Sequence, residues 1–170
     1  VVVSLFRLDR CDEALVELEG LRNVAEFPYA AEIGMIEGQC HLVEERFSQA
    51  ATAFDSVAKR FPDGELADDA ASGACESLYR AGEYEGAAKK CQTVASRWPE
   101  SPLLARSEFF RALCEMARKN YEEALGILQA YEGRFPKGEF AGQVPLLLAQ
   151  CYQRGNDVDK AIERYAAVVK

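Results

Sequence analysis

The sequence predicts an all-α solenoid, a stack of about five antiparallel helix pairs of which the first and last are incomplete. Three observations carry this prediction. Phe47, Tyr84, Tyr121 and Val158 are each 37 residues apart. Three residues after each stands an alanine (Ala50, Ala87, Ala124, Ala161), and four further on a bulky or apolar side chain (Phe54, Cys91, Leu128, Tyr165). The first three copies close on an aromatic–proline pair: Phe61-Pro62, Trp98-Pro99 and Phe135-Pro136. A period of roughly 20–50 residues marks stacked supersecondary units rather than one globular core.

The second helix of each unit is the clearer one. Tyr84, Ala87, Ala88, Cys91, Val94 and Ala95 fall on one stripe, as do Tyr121, Ala124, Leu125, Leu128 and Tyr131. Val158, Ala161, Ile162, Tyr165 and Val168 repeat the pattern. The alanine sits where neighbouring helices come within about 8–10 Å, a gap that a larger side chain would widen.

Short turns join the helices inside a unit, as at Ala81-Gly82-Glu83 and Arg154-Gly155-Asn156-Asp157. There Gly or Asn is expected to take the left-handed cap, with the acidic residue at the positive start of the next helix. Between units, Pro62, Pro99 and Pro136 end each second helix. After them Ser101 reads as an N-cap with Pro102 at the first helical position, and Gly64 and Gly138 occupy the same site. Pro145 should kink the fifth unit's first helix or delay its start. The units read as 1–28 (partial), 29–62, 63–99, 100–136 and 137–170 (partial). The chain opens on Val1 and reads as a piece of a longer protein.

Composition narrows function. The 170 residues carry a net charge of −8, which argues against nucleic acid, whose recognition needs clustered Lys and Arg. The acid lies mainly before residue 137, so a basic partner would be drawn there. No apolar run approaches the ~18 residues of a membrane span. The six cysteines include no C-x-x-C pair, and the single histidine is His41, so neither a metal site nor a disulfide framework is expected. Cys40, Cys114 and Cys151 share one phase of the repeat with Ser77, and Cys91 takes the Phe54 slot. These positions predict six buried free thiols, which fits a cytoplasm or a weakly oxidising periplasm.

A helix–turn–helix unit with a Gly-acidic-aromatic turn, an alanine three residues on, an aromatic four further and a closing proline resembles the tetratricopeptide repeat. The likeness covers nearly the whole chain. It departs in its 37-residue unit, where 34 is usual, and in Ala71 or Pro145 standing where an early aromatic is expected. The Arg-Phe-Pro ending followed by Asp-Gly-Glu-Leu-Ala is similar to a bacterial cell-envelope subgroup. That subgroup includes the outer-membrane assembly lipoprotein and the Tol–Pal-associated division coordinator. The resemblance implies a right-handed superhelix whose first helices line a concave groove that binds a peptide or helix of a protein partner.

Carried over by phase, the groove would display Met35, Gln39 and Leu42 from the second unit and Ser72, Glu76 and Tyr79 from the third. The fourth would supply Phe109, Phe110, Leu113 and Met116, and the fifth Leu146, Gln150 and Gln153. A strict 37-residue register would set Glu37, His41, Arg111 and Glu115 against the core, so the first helices of units two and four are expected to slip by one residue. The Lys- and Asn-rich clamp of chaperone-binding members has no counterpart here. No catalytic residue, cofactor or metal is expected: His41 has no neighbouring nucleophile on its own helical face, and no glycine-rich phosphate loop exists. The expected function is a non-catalytic scaffold or adaptor. A regulatory array attached to an enzyme is the alternative, and self-association through the solenoid ends is a further possibility.

Overall fold

The computed structural model describes residues 1–21 and 29–168; the Phe27-Pro28 boundary lies outside them. Among the described residues there are ten helices and no strand. The first helices of successive pairs are α1 (Val2–Arg7), α3 (Ala30–Val43), α5 (Ala67–Arg80), α7 (Leu104–Ala117) and α9 (Val144–Arg154). The second helices are α2 (Cys11–Leu21), α4 (Phe47–Arg60), α6 (Tyr84–Arg97), α8 (Tyr121–Arg134) and α10 (Val158–Val168). Each helix packs on the next in chain order, which makes a solenoid.

The repeated alanines lie at the closest helix approaches. Ala50, Ala87 and Ala124 have no exposed surface, and Ala161 has 3%. Beside them Phe54, Cys91 and Leu128 are buried, whereas Tyr165 is half-buried. On α10 the rest of the expected stripe (Val158, Ile162 and Val168) is exposed among the described residues.

The register is stricter than the charges foretold. α3, α5 and α7 begin at Ala30, Ala67 and Leu104, 37 residues apart, so the expected slip in units two and four does not occur. His41 and Glu115 are buried, and Glu37 and Arg111 are half-buried. Local pairing makes this tolerable. The Glu115 carboxylate accepts from Arg118 at 2.8 Å and from Asn120 at 2.6 Å. Arg111 lies 3.1 Å from Glu108, and His41 Nε2 lies 4.0 Å from Glu37.

Turn chemistry repeats as faithfully. Asp9, Glu45, Gly82, Lys119 and Asn156 all have φ between 55° and 81°. At each, the following residue's N–H reaches back five residues, as in Glu83 N to Leu78 O at 2.9 Å and Asn120 N to Glu115 O at 2.8 Å. This is the Schellman ending, with the left-handed residue just past the helix. Only Gly82 takes it without a β-carbon.

Two further expectations are corrected, and the alternatives left for Pro145 are decided. Ser101 is not an N-cap with Pro102 opening the helix, for α7 starts at Leu104 without a side-chain cap. Ser101 instead accepts from Leu103 N at 3.1 Å and donates to Asp68 at 2.6 Å, tying the inter-unit turn to the preceding unit. Likewise α5 starts three residues after Gly64 and α9 six after Gly138. Pro145 delays its helix rather than kinking it: α9 begins at Val144, with proline in the first turn, and has 11 residues where α7 has 14. Finally, the cysteines are not all free. Cys75 and Cys91 form a disulfide between α5 and α6, leaving Cys11, Cys40, Cys114 and Cys151 as buried thiols.

Candidate protein-interaction face

Two layers run along the stack. First helices touch one another across units, α1 with α3, α3 with α5, and α5 with α7. The second helices show no comparable mutual contact among the described residues, so the first helices form the tighter, inner layer. Between α7 and α9 the backbones approach less closely, although Phe109 and Ala112 of α7 share one buried cluster with Val144 and Leu148 of α9.

Twelve of the thirteen residues singled out from sequence recur at equivalent positions along this layer, Phe110 beside Phe109 being the exception, and the structure sorts them by depth. Gln39, Leu146 and Gln153 are exposed; Gln153 accepts a hydrogen bond from Tyr165 Oη at 2.9 Å. Met35, Leu42, Tyr79, Leu113, Met116 and Gln150 are half-buried and offer one side to solvent. Ser72, Glu76, Phe109 and Phe110 are buried. At 3% and 7% exposure the two phenylalanines lie below the surface, in the floor rather than on it.

That floor is aromatic. Phe109 stacks on Phe140 with centroids 4.1 Å apart and planes 7° apart, and Phe110 meets Phe140 edge-on at 6.0 Å. Tyr79 leans on Phe110 at 5.4 Å. Offset and edge-on arrangements put the electropositive ring edge against the electronegative face. Phe140 escaped the sequence reading because it lies in an inter-unit turn, outside the helical stripes.

An ion network crosses the same layer. Glu76 on α5 accepts from Arg80 one turn later (2.7 Å) and from Arg106 on α7 (2.6 Å). Arg106 also forks onto Glu139, at 2.9 and 3.0 Å, and lies over the Phe110 and Phe140 rings. Burial would lower the Arg106 pKa, but Glu76 and Glu139 outweigh it and hold the guanidinium firmly charged. Beneath it, the Ser107 and Ser72 hydroxyls are 3.1 Å apart. Arg106, Arg80 and Glu139 were not singled out from sequence. Position 106 lies 37 residues after Asp69, in phase with the groove stripe, and that was the available signal.

Among the described residues no group of three His, Cys, Asp or Glu is placed to hold a metal ion. A shallow depression of about 250 Å³ between α9 and α10 is lined by Tyr152, Lys160, Glu163, Arg164 and Ala167. Its cations are engaged, Lys160 with Asp157 and Arg164 with Glu132. No helix of the described residues is long and apolar enough to cross a membrane.

Stacked helix pairs with a mixed polar and apolar inner face define a class of repeat scaffolds that is generally non-catalytic and binds proteins. One tetratricopeptide-repeat profile matches residues 37–102 and 74–139, and a second matches 146–170. The chain belongs to the tetratricopeptide-repeat family. No curated protein matches its sequence. Among solved structures it is similar to the apo form of RapI, with TM-score 0.81 and 16% identity over 98% of this chain; it spans 66% of the RapI chain. It is similar also to MamA from Desulfovibrio magneticus RS-1, with TM-score 0.80 and 20% identity over 99% of this chain and 89% of that one. A putative kinesin light chain repeat protein of Podosopora anserina gives TM-score 0.75 and 14% identity over 98% and 89%. At these identities the likeness shows the fold.

Proposed function

We propose that this chain is a non-catalytic scaffold that holds a peptide or helix of a protein partner across the first-helix layer. One observation carries the reading: α3, α5 and α7 form a joined inner layer whose half-exposed Met35, Leu42, Tyr79, Leu113 and Met116 make a row between polar residues. An amphipathic helix or an apolar-anchored peptide suits such a row. Exposed Gln39, Leu146 and Gln153 and half-buried Gln150 would meet the partner at the margins. Ser72, Glu76, Phe109 and Phe110 would keep the floor rigid.

A bacterial envelope setting is part of this proposal. It is supported by the Arg-Phe-Pro unit endings and by the Cys75–Cys91 disulfide, a bond that persists in oxidising compartments. Trapping thiols at the moment of cell lysis tests this part; Cys75 and Cys91 recovered fully reduced would count against it.

The binding face is tested by photo-crosslinking. A photoreactive amino acid at Gln39 or Gln150 should trap a partner, and one at Gln49 or Gln92 on the second helices should not. Equal adducts from both sets would overturn the assignment. The pair Met116→Glu and Leu146→Asp should abolish the adduct while helical content stays unchanged.

A further inference from the structure

Cys11 and Cys40 are the other cysteines brought together by the fold. Cys11 opens α2 and is 2% exposed; Cys40 lies in the last turns of α3 and is fully buried. Both belong to one buried cluster with Val2, Ala14, Leu18 and Ile36, and Cys11 is close enough to act on the Cys40 thiol. The remaining two thiols have no such partner. Cys114 and Cys151 occupy the same position of different units and sit in separate clusters.

We propose that Cys11 and Cys40 are a redox modification site, forming a disulfide that latches the first helix pair to the second. The latch differs in kind from Cys75–Cys91. That bond joins the two helices of one unit, whereas Cys11–Cys40 would join α2 to α3, across the boundary between units. Cross-links of that kind restrict separation of neighbouring units, the motion by which repeat arrays open from their ends.

The chemistry balances with a disulfide oxidant such as glutathione disulfide. One cysteine thiolate attacks the oxidant, forms a mixed disulfide and releases one glutathione. The second thiolate then attacks the protein sulfur and releases another. Two protein S–H bonds and one oxidant S–S bond are lost; one protein S–S bond and two glutathione S–H bonds are gained. Burial, followed by the contact with Cys11, pushes the Cys40 thiol above its ordinary value, and at 2% and 0% exposure both sulfurs are shut off from the oxidant in the closed core. Reaction therefore occurs when α1 and α2 open, and it fixes them once they reclose.

The test uses the unmodified protein. After incubation with glutathione disulfide or buffer, the chain is denatured with excess maleimide and weighed. The four free thiols of the starting protein predict four maleimides in the control. Two are expected after oxidation, with Cys11 and Cys40 in one cross-linked peptide after digestion. Four maleimides in both arms, a stable glutathione adduct on either residue, or a linkage between other cysteines would each overturn the site. Amide exchange tests the latch: oxidation should slow exchange in α1 and α2 about tenfold or more while α7 and α8 stay unchanged. Equal exchange in α1 and α2 before and after cross-linking would overturn it.

Discussion

The ring of Phe54 lies against the α-carbon of Gly38, so close that a β-carbon on that glycine would stand 2.5 Å from Cε1. The pair faces across one unit, 16 residues apart on α3 and α4. The same two positions hold Cys75 and Cys91 in the next unit and Ala112 and Leu128 in the one after. A glycine makes room for a phenylalanine, two cysteines bond, and an alanine meets a leucine. Each solution fills one slot between antiparallel helices.

Gly38→Ala should therefore destabilise the protein by about 1–3 kcal/mol, since the fully packed ring has nowhere to move. Gly126→Ala, in α8 with nothing within 4 Å of the new carbon, should stabilise it by about 0.5–1 kcal/mol through helix propensity. Urea unfolding of the two variants measures the contrast, and equal effects would contradict the packing.

The disulfide slot predicts a specific repair. Removing the bond through Cys75→Ala and Cys91→Ala should cost on the order of 3 kcal/mol, from the freed loop and the void left behind. The pair Cys75→Ala with Cys91→Leu copies the Ala112–Leu128 unit and should recover a large part of that loss. Thermal melts of both double variants under one redox condition decide it.

Left-handed turns give a third prediction. Lys119 at φ 66° and Glu45 at φ 55° hold a conformation that costs a side-chain-bearing residue about 1–2 kcal/mol. Lys119→Gly and Glu45→Gly should each be neutral to stabilising, up to about 1 kcal/mol, while Gly82→Ala should destabilise by a similar amount. Denaturation midpoints with unchanged m-values are the readout.

Two carboxylates should titrate stability in opposite senses. Burial alone would raise Asp55, but hydrogen bonds from Lys59 and Lys90 outweigh it and hold its carboxyl below the ordinary value. Its stabilisation is present above the unfolded pKa and is lost as pH falls through the lower folded one. Asp55→Asn should thus weaken the protein at pH 7, and the deficit should shrink below about pH 4. Glu108 is raised by burial, with Arg111 and Arg134 opposing. Its contribution is favourable below the unfolded pKa and is lost as pH rises through the folded one. Glu108→Gln should compare better with the wild-type protein at pH 7 than at pH 4. Parallel pH–stability curves for the two variants would refute both assignments.

The sequence by itself determined the period, the alternation of first and second helices, the alanines at the closest contacts and the family. These follow from spacing within a helix, which places residues three and four apart on one face whatever lies opposite. Even the left-handed turns were legible at Gly82 and Asn156, where composition signals the conformation; Glu45 and Lys119 adopt it because the repeat geometry imposes it. Only the tertiary structure decided what lies opposite. It paired Cys75 with Cys91, set Glu76 between Arg80 and Arg106, and sank Phe109 and Phe110 beneath Phe140. It also kept His41 and Glu115 in register, where their charge had argued for a slip. Packing across helices depends on crossing angle and on the volumes of facing residues, and a one-dimensional period carries neither. The burial of a charged side chain depends on partners such as Arg118 and Asn120, which come within reach only after the turn has closed.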